Sequence, residues 1–113
     1  MSDSVLNTIK KLVGVPDDSF TEDILVHINS SFFTLYQLGV FDEPPIIKSE
    51  AETWGEVIGD DKNLEAIKTY IYIKVRLIFD PPATSFVIDA LKKQAEEIEW
   101  RLNVDKSKGL VDV

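Results

Sequence analysis

The stretch YIYIKVRLIFDPP, from Tyr70 to Pro82, decides between two folds. Its first ten residues alternate and are rich in Tyr, Ile and Val, a pattern typical of a half-buried strand. A wider window favours a helix, because a helix accounts for sixteen residues from Leu64 onward, whereas strands rarely exceed about ten. The apolar stripe of this helix consists of Leu64, Ile67, Ile71, Val75 and Ile78, and Asp61 is placed to cap the helix. The two prolines should end the helix near Asp80, since proline cannot donate the helical hydrogen bond.

Two helices are predicted before this central one. The first covers about residues 5–13 and ends at a glycine followed by a proline, the usual order of stop signals. Ser19 and Glu22 have the spacing of a capping box, which predicts a second helix from about Phe20 to Leu38. Each of the two helices has an apolar face for the core.

The rest of the chain is predicted as a loop, a last helix and a tail. A loop over about residues 40–60 has two prolines and no sustained period, and it holds at most one helical turn around Trp54. The last helix follows DPPATS and ends at about Asn103, which leaves residues 105–113 as a flexible tail. Its predicted inner face consists of Val87, Ile88, Leu91, Ala95, Ile98 and Leu102. The expected fold is all-α, a small bundle of four main helices in a single domain over residues 1–104.

The composition limits the classes of function. There is no cysteine, which excludes disulfides, thiolate zinc sites and cysteine nucleophiles. Residues 1–61 carry twelve acidic and three basic side chains (-9), and residues 62–113 carry eight and nine (+1), for a net charge of -8. The acidic half argues against groove binding of DNA, and opposite-charge halves can favour head-to-side packing of like subunits. Neither a signal peptide nor a membrane span is predicted.

No catalytic, metal or cofactor site is predicted. His27 is the only histidine, so a histidine-based triad or a multi-histidine metal site cannot form. The acids of the loop lack the spacing of an EF-hand, so a solvated acidic loop is favoured over a Ca²⁺ or Mg²⁺ site; these acids are Glu50, Glu52, Glu56, Asp60 and Asp61. The chain also has no glycine-rich phosphate loop and no GxSxG motif. We therefore expect neither an enzyme nor a cofactor.

Several side chains lie at positions that do not suit a simple helical core: apolar residues on outer faces, and one lysine on an apolar face. Val26 and Phe33 fall together outside the apolar arc of the second helix, and Phe86 and Trp100 fall on the outer face of the last helix. There are two explanations for these strips: either the first helix or the loop covers them, or they mark a surface for self-association. Lys74 lies in the apolar arc of the central helix, where it either snorkels to solvent or pairs with an acid across a subunit contact.

Several separated strings, taken in their order and spacing, resemble one protein family. They are LVGVPDDSFTEDILVHINSSF, LYQLGV, the pair TW at Thr53 and Trp54, IGDDKNLEAIKTYIYIKVRLIFDPP and EEIEWRLN. Together, from about residue 4 to residue 103, they resemble the small head-tail connector (adaptor) proteins of tailed phages and prophages, the DNA-packaging family. No single string is diagnostic, and the specificity comes from the combination.

The resemblance implies an all-α subunit that acts without catalysis. Such subunits form a homo-oligomeric ring below the portal protein, extend the channel through which DNA passes without sequence-specific binding, and dock the next connector or stopper protein. The resemblance places the chain in the virion neck, after assembly in the host cytoplasm. It also implies interface positions at Trp54, Phe86, Trp100 and the loop from Phe41 to Thr53.

Two other functions remain open from the residues alone. A small helical adaptor or regulator could bind a host protein through the same aromatic strips. A hydrolase could use the acidic loop with a divalent ion, and metal binding would be required for it. The ring-forming connector is the principal hypothesis.

Overall fold

The computed structural model describes residues 3–15, 17–59 and 62–111, with residues 105–111 as backbone alone. These residues form five helices and no strand, which confirms the all-α prediction: α1 (Val5–Leu12), α2 (Thr21–Gln37), α3 (Trp54–Val57), α4 (Leu64–Phe79) and α5 (Ser85–Val111). An isolated antiparallel bridge joins Ser4 to Thr53 and ties the start of α1 to the start of α3.

The stretch from Tyr70 to Pro82 is helical up to Phe79, as the wider window predicts. α4 is the central helix, because it packs against both α2 and α5, while α1 packs on α2 and α4. Burial of each large aliphatic side chain stabilises the fold by about 1.5–3 kcal/mol. The buried residues of α4 are Ile67, Tyr70, Ile71, Ile73 and Val75. Asp80 follows as the C-cap, so the predicted corner before the two prolines is confirmed.

The ends of α4 and α5 differ from the prediction. The spacing predicts Ile78 as part of the apolar stripe, yet the residue is 61% exposed. Val87, predicted on the inner face, is also exposed, because α5 is buried through its middle and not at its start; the buried residues are Ala95, Ile98 and Leu102. α5 continues to Val111, so residues 105–111 are helical where the sequence predicts a tail. Asp61, the predicted cap of α4, lies outside the described residues.

The predicted capping box at the start of α2 is wrong. The N-cap is Phe20, whose φ of 61° is left-handed and whose side chain makes no capping hydrogen bond. The ring of Phe20 packs edge-on against Phe79, with 5.4 Å between the centroids. Phe20 therefore combines a left-handed backbone conformation, which is unfavourable for a bulky residue, with a side-chain contact to the far end of α4. The amide of Ser19 instead donates to Asp17 Oδ1 at 2.9 Å.

Side-chain hydrogen bonds order the long loop. A capping box of Thr53 and Glu56 starts α3, so the predicted helical turn around position 54 is confirmed. Just before it, the carboxylate of Glu52 accepts from the amide of Lys48 at 2.9 Å and from the amide of Ser49 at 3.1 Å. These bonds close a tight turn, which explains why the loop is ordered without a regular apolar period.

The Glu52 turn should contribute to stability in a pH-dependent way. The hydrogen bond from the Lys48 amide is the main cause that lowers the pKa of Glu52 below its usual value. A carboxyl group whose pKa is lower in the folded chain than in the unfolded chain stabilises the folded state. This stabilisation is complete at pH values above the unfolded pKa, about 4.3, and it is lost as the pH falls through the folded pKa. We expect Glu52→Gln to cost about 1 kcal/mol at pH 7, a value discounted for solvent exposure.

Urea unfolding from pH 7 down towards pH 2 measures this contribution. The free energies of unfolding of Glu52→Gln and of the unchanged chain should converge as the pH falls. Glu50→Gln is the matched control, because Glu50 is exposed and its carboxylate makes no hydrogen bond or ion pair with the described residues. A Glu52→Gln deficit that stays constant over the whole pH range would contradict this account.

Candidate functional site

Four of the predicted interface residues lie on the surface, on two helices. Val26 and Phe33 are exposed on α2. On α5, Phe86 is 82% exposed and Trp100 is 66% exposed. Neither α1 nor the long loop covers them, so the intramolecular explanation for these strips does not hold. Whether they contact another subunit stays a prediction.

On α2 the exposed strip forms one wall of a groove. The loop supplies the other wall with Pro44, Pro45 and Ile46, of which Ile46 is 60% exposed. We call this the α2 groove; it is lined by Val26, Asn29, Ser30, Phe33, Pro44, Pro45 and Ile46. These residues belong to the loop from Phe41 to Thr53, which the family resemblance implies as an interface region, although the residue pattern alone does not single out the run PPII.

The loop wall is held on α2 by one side chain. Asn29 donates from Nδ2 to the carbonyl oxygen of Ile47 at 2.9 Å, and the amide of Ile47 donates to Asn29 Oδ1 at 2.7 Å. Ile47 is itself buried, so the pair of bonds fixes the loop next to the helix. The shape of the groove therefore depends on Asn29.

On α5 the exposed aromatic residues form a second surface. Phe86, Lys93 and Trp100 are spaced by seven residues and so lie along one side of the helix, with a drift of about 20° per step. We call these three residues the α5 stripe. Within the described part of the chain, no carboxylate lies within 4 Å of the Lys93 amine, whereas Arg101 on the same helix is paired with Glu97. Lys93 is thus a charged group between two exposed aromatic side chains.

Trp54 belongs to the core and not to an exposed interface. It is 1% exposed, and its Nε1 donates to Thr8 Oγ1 at 3.1 Å. The ring of Phe32 lies 6.4 Å from the Trp54 ring, and Lys68 Nζ lies 5.6 Å from its centroid. Because its side chain is enclosed by α1, α2 and α4, Trp54 is removed from the interface candidates.

Lys74 makes its contacts within its own fold. Its Nζ lies 5.9 Å from the centroid of the Tyr70 ring, and it lines a groove between α4 and α5. The nearby Glu99 accepts a 2.6 Å hydrogen bond from the Tyr70 hydroxyl. Burial, and secondly this bond and the charge of Glu99, raise the pKa of Tyr70 above its ordinary value. The salt bridge of Lys74 across a subunit contact stays a prediction.

The described residues contain no group of three or more acidic or histidine side chains that could hold a metal ion. Glu52 and Glu56 are engaged by the loop turn and the capping box, while Asp60 and Asp61 lie outside the described residues. In the same part of the chain, no helix is both long and apolar enough to cross a membrane. The geometry at the surface is suited to protein contacts.

The fold is a small all-α bundle that exposes large apolar side chains on α2 and α5. The family model described as phage connector protein matches residues 5–109. The chain belongs to the phage connector protein family, and the resemblance seen in the sequence is confirmed. A search of curated proteins and a search of solved structures each found no match.

Proposed function

We propose that the chain forms a homo-oligomeric ring below the portal of a phage or prophage particle. Membership of the phage connector protein family supports a connector role for the chain, and ring formation is our more specific hypothesis about that role. The ring extends the DNA channel and docks the next connector or stopper protein in the virion neck. The observation that carries this proposal is the presence of two separate apolar surfaces, the α2 groove and the α5 stripe, on one small bundle.

Two different surfaces on one subunit suit a closed ring. When one surface of a subunit binds a different surface of the next, the contact repeats until the rotation closes. Large aromatic side chains such as Phe86 and Trp100 favour such contacts, because their burial removes much apolar area from water. The net charge of -8 also suits a channel through which DNA slides, since an acidic surface does not retain phosphates.

Native mass spectrometry and electron microscopy of the purified protein, with and without portal protein, test the proposal. We expect closed rings at high concentration or on the portal, even if the dilute protein is monomeric. Leu12→Ala serves as the control for a substitution outside the two proposed surfaces. Leu12 is exposed on α1 and belongs to neither surface, so this variant should assemble like the unchanged chain. Monomers at every concentration, together with no binding to the portal, would contradict the proposed function.

A further inference from the structure

We infer that the α5 stripe of one copy packs into the α2 groove of the next copy. This inference rests on the proposed self-assembly and specifies which surfaces meet. The two surfaces belong to different helices, and each lies on the side of its helix away from the buried residues. A contact between them is therefore heterologous and leaves one free groove and one free stripe at the ends of any open chain of subunits.

The two surfaces match in length. Val26 and Phe33 are seven residues apart on α2, and Lys93 and Trp100 are seven residues apart on α5. At a rise of 1.5 Å per residue, each pair spans about 10 Å along its helix. Two helices that pack at the usual distance of about 8–10 Å can therefore bring both pairs into contact at once. The exposed Ile46 then adds an apolar contact from the loop wall.

Charge favours this pairing over contacts between identical surfaces. Residues 12–47, which include α2 and the loop wall, carry six acidic side chains and neither lysine nor arginine. Two of these acids, Asp42 and Glu43, immediately precede the prolines of the groove. Lys93 has no carboxylate within 4 Å in the described residues of its own chain. A stripe facing a stripe would bring two lysines together, whereas a stripe against a groove brings Lys93 to the side of the subunit that carries Asp42 and Glu43 next to the groove.

A mixing experiment tests the pairing directly. Val26→Arg blocks the groove with a bulky cation and leaves the stripe intact, while Trp100→Glu blocks the stripe and leaves the groove intact. Each variant alone should associate at least about tenfold more weakly than the unchanged chain, as expected for loss of an anchor residue worth 1.4 kcal/mol or more. An equimolar mixture should form one-to-one dimers and nothing larger, because only one productive contact remains.

Analytical ultracentrifugation and native mass spectrometry give the outcome, with thermal unfolding of each variant to verify folding. If either variant fails to fold, Ile46→Arg replaces it for the groove and Lys93→Glu for the stripe, both at exposed positions. Retention of the full oligomer by a folded groove or stripe variant would overturn the pairing and leave the ring function standing. A monomeric unchanged chain at all concentrations would overturn the pairing too, and portal binding would then decide the connector ring separately.

Discussion

Replacement of Trp54 by alanine should lower the free energy of unfolding by about 3–5 kcal/mol, the usual cost of removing a large buried aromatic side chain. The residue is 1% exposed, and its indole contacts Phe32 and donates to Thr8. The backbone around it also anchors the start of the chain, because the Trp54 amide donates to the carbonyl oxygen of Asp3 at 3.0 Å. Loss of the ring should therefore loosen the contact between α1 and α3 as well as leave a cavity.

Trp100 provides a control with the same side chain in a different environment. It is 66% exposed, so Trp100→Ala should change the free energy of unfolding by no more than about 0.5 kcal/mol. Urea unfolding, followed by circular dichroism, measures both variants against the unchanged chain. Equal losses for the two tryptophans, or a loss below about 1 kcal/mol for Trp54→Ala, would show that the core is not arranged as described.

Asn29→Ala should release the loop wall of the α2 groove. The change removes both hydrogen bonds to the backbone of Ile47 and leaves a buried amide and carbonyl without their partner. The expected cost is about 2 kcal/mol. Because Ile46 is adjacent in the chain, the groove should lose its shape, and self-association should weaken even though no exposed apolar residue is altered.

Hydrogen exchange read out at single amides separates this local effect from general destabilisation. The Ile47 amide should exchange much faster in Asn29→Ala, while amides in the middle of α4 keep their protection. Ser30→Ala is the matched control, since Ser30 also lines the groove but its hydroxyl makes no hydrogen bond within the part of the chain that the structure describes. Persistent protection of the Ile47 amide in Asn29→Ala would refute the role given to Asn29.

The helical framework could be predicted from the sequence because its signals are local. The stripe that begins at Leu64 extends over more residues than a strand can hold, and the prolines at 81 and 82 fix where α4 ends. The exposed strips of α2 and α5 were predicted for the same reason, since the positions of Val26 and Trp100 around a helix follow from spacing alone.

Features that depend on distant contacts could not be predicted in this way. α2 begins with Phe20 as its N-cap, in contact with Phe79 at the far end of α4, where the local pattern predicts a capping box. The burial of Trp54 involves residues far away in the sequence: Thr8, 46 residues earlier, accepts from its indole nitrogen, and Phe32 packs near its ring. The loop wall of the groove depends on the two hydrogen bonds between Asn29 and Ile47, which are 18 residues apart, and no periodic pattern in the loop predicts these bonds.

Electron cryomicroscopy of the neck of particles assembled with this chain tests the connector ring most directly. We expect a closed ring of all-helical subunits immediately below the portal, with α5 of each subunit against α2 of its neighbour. Complete neck density that contains no copy of this chain would contradict the connector ring.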